Sequence, residues 1–356
     1  MDILKSYIGK IEAEIGKKIE WRIRELKEAG TPSSALLEYY KYLDDYMHYG
    51  GKRLRPLTMI FAYKAVGGND ENAILDVCPS IEFLHNASLI HDDIIDRDEL
   101  RRGKPTFHII YSDWYKKRKN DSDAEHFGMS MGIVGGDSLI NFASRIIITS
   151  KFSVEQRLRA LDVLTTGFNE LIDGEVMDVT FPLTEKVSED EYFLMVDLKT
   201  SSLYVVAAKM GAIFGGADDK LINLFGKFMR LGGRAFQMKD DIIGLYGDPK
   251  VTGKPVGNDI REGKKTILVI KALENGTDEQ KKTLLGMLGQ YDLTDDDIAV
   301  ARKIVEDTGA LKYAEQKMEE FIRDAKATLD QMKPKLTEEG YNFFKEFVEL
   351  FVKREK

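Results

Sequence analysis

The sequence is poor in cysteine, in proline and in long apolar runs. Its one cysteine, Cys78, permits no internal disulfide, so a disulfide-built scaffold is excluded, as is a multi-cysteine zinc or iron–sulfur site. The 5 histidines (His48, His85, His91, His108 and His126) form no HExxH or ExxH pair. Proline occurs only 8 times, and the stretches 106–181, 183–248 and 256–333 have none. Proline breaks helices, so these gaps leave room for long ones. The amphipathic, charged N-terminal stretch lacks the apolar segment of a secretory signal. The most apolar window, 203–217, is about 15 residues long and carries Lys209, too short and too polar to cross a bilayer. No stable membrane insertion is expected, and the chain is read as cytoplasmic. Basic surface is not in excess either. There are 52 Lys+Arg against 60 Asp+Glu, a net charge of −8 over 356 residues, which argues against nucleic-acid binding.

What is present is helical periodicity. Apolar residues recur at three and four spacings over 1–28, 34–48, 54–66, 71–97, 129–150, 154–179, 187–215 and 219–246. The pattern resumes over 264–275, 279–289, 294–308, 310–331 and 336–353. No sustained alternation of the kind a half-buried strand shows is found, so the fold class is all-α. Length alone allows two or three domains of about 100–200 residues. Three loops interrupt the pattern: Gly50–Pro56 (GGKRLRP), Arg101–Thr106 (RRGKPT), read as a helix end with Gly and Pro stop signals, and Tyr246–Thr266. The polar stretch Trp114–Glu125 is read as an exposed extension.

Two acidic clusters interrupt apolar helical patterns. Asp92 and Asp96 are four apart, hence on one helix face, with Asp93 between them. Phe83, Leu84, Ala87, Leu89, Ile90, Ile94 and Ile95 make that stretch apolar on most sides. Like charges near a core repel, and a divalent cation such as Mg²⁺, which favours carboxylate oxygen, would relieve the repulsion. A solvated helix face is the plainer reading of most such strings; the apolar neighbours weigh against it here. Asp240 and Asp241 repeat the arrangement, with Gln237 one turn earlier. Helices of this kind facing each other in a bundle would line a cavity with metal on both walls. Basic residues gather in the loops: Lys52, Arg53, Arg55, Arg101, Arg102, Lys254, Lys264 and Lys265. Taken singly they read as surface turns or helix caps. Taken with the two acidic clusters they point to diphosphates held between metal ions and cations.

In order and spacing, GGKRLRP (50–56), FLHNASLIHDDIID (83–96), RRGKPT (101–106), GGDSLI (135–140), GEVMD (174–178), LKTSSL (198–203), FQMKDDIIG (236–244) and GKPVGNDIREGKKT (253–266) resemble the trans-type polyprenyl diphosphate synthases, the farnesyl and geranylgeranyl diphosphate synthase family. The resemblance covers about 40–270, while 270–356 matches only as generic helices. It implies one large helical domain over 1–356, built around a central cavity and assembled as a homodimer. It implies condensation of isopentenyl diphosphate with an allylic diphosphate. It assigns the metal to Asp92, Asp96 and Asp240, with Asp93 and Asp241 completing the clusters as supporting groups. Arg101, Lys199, Lys254 and Lys264 would meet the allylic diphosphate. Lys52, Arg55, His85 and Arg102 would line the pocket for isopentenyl diphosphate. Thr200 and Gln237 would place oxygen dipoles near the allylic carbocation. A lone helical histidine is more often a satisfied core or edge residue; its register with the family's phosphate-binding position is what favours His85.

One departure stands out: the fifth position of the second acidic motif, often aspartate in the family, is Gly244, and Asp248 follows one turn later. Ala87 and Ser88, five and four residues before Asp92, are small and leave room for a growing chain, with Phe83 as the candidate floor. Products longer than C15, with C20 foremost, are expected. Two alternatives share this fold. A terpene cyclase would carry a different second metal motif and have little use for GGKRLRP and His85. A non-catalytic subunit of a heteromeric synthase would lose aspartates that are intact here.

Overall fold

The computed structural model describes residues 2–30, 33–119, 122–247 and 256–352, and these are almost wholly helical. In chain order the helices are α1 (Asp2–Glu28), α2 (Ser34–Met47), α3 (Leu54–Ala65), α4 (Glu71–Val77), α5 (Pro79–Ile95), α6 (Phe107–Lys119), α7 (Ala124–Ile148) and α8 (Val154–Thr180). After these come α9 (Glu189–Val196), α10 (Ser202–Phe214), α11 (Asp219–Tyr246), α12 (Asn258–Arg261), α13 (Ile267–Asn275), α14 (Asp278–Met287), α15 (Asp295–Asp307), α16 (Ala310–Met332) and α17 (Glu338–Val352). The periodic stretches of the sequence match helices to within about five residues, but α6 lies in none of them and the short α12 falls inside the loop expected over 246–266. Three further stretches also differ from expectation.

The stretch 71–97 is two helices, because Pro79 has no N–H to donate and restarts the chain at the first position of α5. The loop Arg101–Thr106 is not a plain helix end. Leu100–Arg101 (β1) pairs antiparallel with Lys104–Pro105 (β2), and Arg102 (φ 54°) and Gly103 (φ 74°) make the two-residue turn. Positive φ at both turn positions is what a tight hairpin of this type requires. Of the polar stretch 114–125, residues 114–119 end α6 and 124–125 open α7, while 120 and 121 lie outside the described residues. Trp114 lies in α6 and stacks on Phe127 of α7, with centroids 5.7 Å apart, while Arg118 covers the same indole. Its lysines are exposed as expected, because they occupy the other face of α6.

The chain forms two compact units, Met1–Leu164 with Met210–Gly216, and Thr165–Lys209 with Ala217–Lys356. In the first, α5 and α7 pack face to face, and Phe83 meets Phe142 with ring centroids 5.1 Å apart. Tyr46, Phe83 and Phe107 are fully buried there. In the second, α11 packs along α16, and Phe225 and Phe228 meet Phe344 of α17. The longest strongly apolar helix is α7 rather than the stretch 203–217. By length and composition α7 could cross a membrane, but it carries Asp137 and Arg145, and Arg145 binds Glu25 of α1.

Candidate functional site

In the first unit the acidic motif closes α5. Asp92 lies in its last turn and Asp96 is its C-cap, so Asp96 is exposed while Asp92 is half-buried. Asp93 points the other way, into the core, with its side chain 0% exposed. One of its oxygens accepts from Arg101 Nε at 2.5 Å and the other accepts from Tyr46 Oη at 3.1 Å. Burial pushes the Asp93 carboxyl up, and Arg101 opposes that shift. Asp93 is therefore a supporting group that orients Arg101. The same guanidinium lies 3.5 Å from Asp92, so the hairpin's first strand lays a cation along the acidic helix end.

The hairpin also fastens the GGKRLRP loop. Tyr49 Oη donates to Pro105 O at 3.1 Å, and Arg102 donates to Gly50 O, its guanidinium lying on Gly51. Arg55 Nη1 is 3.0 Å from His85 Nε2. Burial, with Arg55, Arg102, Arg101 and Arg53 around it, holds His85 well below the usual imidazole range. His85 is therefore neutral, with Nε2 accepting from Arg55 and Nδ1 left as a donor. Arg55, Arg102 and His85 thus converge on one place, and Lys52 is exposed on the neighbouring loop. Arg53, counted among the loop cations, does not belong to this set. Its side chain is 0% exposed and bound by Glu12, Glu82 and Met47 O. A guanidinium with that many partners is a structural tie between α1, α3 and α5. Ala87 and Phe83 lie one turn apart on the buried face of α5, and Ser88 is half-buried, its hydroxyl donating to His85 O.

The second unit holds the other cluster. The helical run from α9 into α10 contains a wide π-turn, Asp197–Ser201, an arrangement frequent at functional sites. It is pinned by Asp197, which accepts from Arg234 Nε at 2.8 Å and from Arg234 Nη2 at 2.7 Å. The widened turn presents Lys199 and Thr200. Lys199 Nζ lies 2.6 Å from Asp178 and 2.9 Å from Glu175, both from the GEVMD stretch of α8. A Cβ on Gly174 would come within 2.4 Å of Lys199 N, so only glycine lets α8 approach this closely. Thr200 Oγ1 donates to Gln237 Oε1 at 2.7 Å. Gln237 Nε2 donates to Asp241 Oδ1 at 2.9 Å, and Tyr192 Oη donates to Asp241 Oδ2 at 2.6 Å. Gln237's amide is thereby oriented with its oxygen toward Thr200.

Asp241 is buried, and its carboxyl is pushed up to about 7, by burial first and by Asp259 next. Asp240 is half-buried beside it. Lys264 pairs with Glu262 at 2.7 Å. Burial alone would lower its ammonium, but Asp178, Glu262 and Asp259 override that and raise it. Lys265 is a structural residue, 8% exposed and donating to Phe181 O and Thr184 O. Lys254 and Asp248 lie outside the described residues.

Tyr46, Tyr192, Glu175, Asp178 and Asp259 take part in these networks without having been singled out in the sequence. The last three sit inside recognised motifs, so motif membership was the only signal available; the two tyrosines gave none. Among the described residues no three His, Cys, Asp or Glu side chains form a ready-made metal cage. The donors are hard carboxylate oxygens, some accessible and some crowded by like charge. That set suits Mg²⁺, which keeps several waters and takes one or two carboxylates together with substrate phosphate.

Residues 37–306 match the family described as polyprenyl synthetase. The chain is 37% identical over 311 residues to geranylfarnesyl diphosphate synthase of Aeropyrum pernix, covering 86% of this chain and 91% of that protein. It is 34% identical over 348 residues to the short chain isoprenyl diphosphate synthase of Methanothermobacter thermautotrophicus, covering 98% and 97%. Among solved structures it is similar to a geranylgeranyl pyrophosphate synthase of Corynebacterium glutamicum complexed with isoprenyl diphosphate and magnesium, with a TM-score of 0.88, 28% identity and 99% of each chain covered. The geranylgeranyl pyrophosphate synthetase of Pyrococcus horikoshii gives a TM-score of 0.83 at 30% identity, covering 99% and 98%.

Proposed function

The chain belongs to the polyprenyl synthetase family, and from that premise we propose that it elongates an allylic diphosphate with isopentenyl diphosphate, releasing pyrophosphate, with Mg²⁺ as cofactor. The observation that carries this reading is that each acidic cluster is accompanied by built cation sites, Arg101 in one unit and Lys199 with Lys264 in the other. The family match spans both units, which supports one catalytic domain made from the two.

Pyrophosphate is a poor leaving group while its charge is uncompensated. Mg²⁺ held by Asp92, Asp96 and Asp240 would neutralise that charge as it develops. Arg101, oriented by Asp93, adds a fixed guanidinium on the same diphosphate. Lys199, oriented by Glu175 and Asp178, adds an ammonium, as does Lys264. Lys254 belongs with them by resemblance. The hydroxyl of Thr200 and the amide oxygen of Gln237 are fixed in one hydrogen-bonded chain, so they present dipoles to a carbocation without acting as nucleophiles. Lys52, Arg55, Arg102 and neutral His85 hold the isopentenyl diphosphate, where His85 donates a hydrogen bond and the arginines supply the charge. The proton lost after coupling goes to the departing pyrophosphate, so no protein base is required.

Product length follows from α5. Ala87 fills little of its buried face, and Phe83, backed by Phe142, closes it one turn further back. The product is C20 or somewhat longer. Incubation with isopentenyl diphosphate, Mg²⁺ and C5, C10 or C15 primers, followed by mass spectrometry of the products, tests the reaction. Absence of elongation with every primer overturns it. Ala87→Phe should shift the product toward C15; an unchanged length removes the account of α5.

The enzyme is read as a homodimer. Met129, Ile133, Val134 and Ile148 of α7 are large apolar side chains left exposed, and a second copy covering them would account for the apolar composition of that helix. Light scattering on purified protein tests this.

A further inference from the structure

The second unit contains a cavity of about 380 Å³ that shares no lining residue with those assigned to the substrates. It lies against Asp197, the first residue of the π-turn, and along a stripe of α11 that carries Lys227, Arg230 and Arg234. Lys209 reaches it from α10. Four cations thus face the cavity against one carboxylate, and Leu231 is the single large apolar side chain in its wall. Small-molecule sites are of this size, roughly 300–1,000 Å³.

Two of the four cations are engaged within the protein. Arg234 holds Asp197 through two hydrogen bonds, and Arg230 pairs with Glu170 at 3.0 Å while lying 3.9 Å from Asp197. The other two are not. Lys209 and Lys227 make no hydrogen bond or ion pair among the described residues. Lys227 is exposed, but Lys209 is half-buried, its stem laid against α11. It fits there because residue 226 has no side chain. A Cβ on Gly226 would come within 2.6 Å of Lys209 Cε, while its next neighbours, Lys209 Nζ and Val205 Cγ1, would lie at 3.6 Å. An ammonium partly removed from water with no partner loses hydration that an anion would replace. A diphosphate has enough anionic oxygens to meet two ammoniums and two guanidiniums at once, which a lone carboxylate has not.

We propose that this cavity is a further diphosphate site and that its occupant is free pyrophosphate. A wall with one large apolar side chain gives a prenyl chain little to lie on, which favours the inorganic anion over the headgroup of a product. The site goes beyond the prenyl-transfer reading; only the choice of pyrophosphate, the group that reaction releases, rests on it. The same arginines face Asp197, at the start of the turn that presents Lys199 and Thr200. A bound anion draws them from Asp197, so occupancy loosens the π-turn and slows elongation.

Calorimetric titration of the purified protein with inorganic pyrophosphate in EDTA, which keeps metal off the acidic clusters, tests the site. Gly226→Ala pushes Lys209 aside, and since alanine suits a helix better than glycine, its melting temperature should hold or rise. It should weaken one class of pyrophosphate binding by about 10-fold, and Lys209→Gln combined with Lys227→Gln should weaken the same class further. Lys220→Gln, on α11 but outside the cavity, should leave that class unchanged. Wild-type binding in Gly226→Ala and in the lysine double variant overturns the proposal. So does an equal loss in Lys220→Gln, which would mean that net charge alone is read. Geranylgeranyl diphosphate that binds this class more tightly than pyrophosphate overturns the choice of the free anion. In elongation assays, inhibition of the wild type by pyrophosphate should include a component that neither substrate competes away and that Gly226→Ala lacks; its persistence in Gly226→Ala overturns the link to the π-turn. Absence of elongation by the wild type would overturn the reaction and leave the binding result standing.

Discussion

The two acidic clusters use the same side chain in opposite electrostatic settings. In the first unit the buried aspartate, Asp93, is balanced by a guanidinium 2.5 Å away and by a tyrosine hydroxyl. In the second, the buried aspartate, Asp241, accepts from two neutral donors among the described residues, Tyr192 and Gln237, with Asp240 and Asp259 as like-charged neighbours. Both carboxyls are pushed up by burial; in the first a fixed arginine opposes the shift, and in the second nearby carboxylates add to it. The buried aspartate of the first cluster is thus paired with a fixed cation, while that of the second stands among like charge that a divalent cation would relieve. Two aspartate pairs that read alike in the sequence therefore differ in electrostatic setting, and the partners decide how.

This contrast can be broken at several points. The largest effects belong to the accessible carboxylates on both sides. Asp92→Asn and Asp240→Asn should each cost about 10²–10³-fold in elongation rate, as expected for groups that stabilise charge developing in the transition state. A loss confined to one of them would mean that only one cluster serves the reaction.

Stability should separate the two buried aspartates. Asp93→Asn leaves Arg101 without its main partner and should destabilise by about 2–3 kcal/mol. That is below the 3–5 kcal/mol typical of breaking a buried pair, because the Arg101 side chain keeps 22% exposure. Asp241→Asn keeps an acceptor for Tyr192 but sets an amide N–H₂ against Gln237 Nε2, a loss offset by removing a charge that its surroundings disfavour, so it should cost about 1 kcal/mol. Urea denaturation of both variants measures the difference. Equal losses would erase the distinction.

The smallest effect concerns His85. Its native pKa lies below the ordinary value of about 6.5, so the unfolded chain binds the extra proton first as pH falls. Stability tied to neutral His85 is present above about pH 6.5 and is lost progressively below it. Thermal melts across pH 5–8 should show a shallower acid-side decline in His85→Gln than in the wild type. Parallel curves would place His85 outside the arginine cluster.

Much of this was legible in the sequence because helical periodicity and motif spacing are local. The apolar face of α5 followed from the spacing of Phe83, Ala87 and Ile90, although the break before Pro79 did not. The face shared by Asp92 and Asp96 followed from a four-residue separation. What stayed hidden depends on partners distant in the chain. Nothing near Arg53 announces that Glu12 and Glu82 will bury it, and nothing near Lys265 announces the carbonyls of Phe181 and Thr184. The hairpin at 100–105 was missed because two-residue strands are too short to alternate. The polar run after Trp114 hid a helix because its charges lie on one face and its ring stack on the other.

The residue string by itself determined the all-helical class, most of the longer helices, the family and the types of side chain available for holding a diphosphate. Those properties rest on short-range geometry and on motifs that survive in one dimension. Only the tertiary structure decided which charges are spent inside the protein and which remain for a ligand. It retired Arg53 and Lys265 from the site, bound Asp93 to Arg101 and oriented Lys199 between Glu175 and Asp178. The strength of a charge depends on its burial and on what stands within a few ångströms of it, and those are properties of the fold.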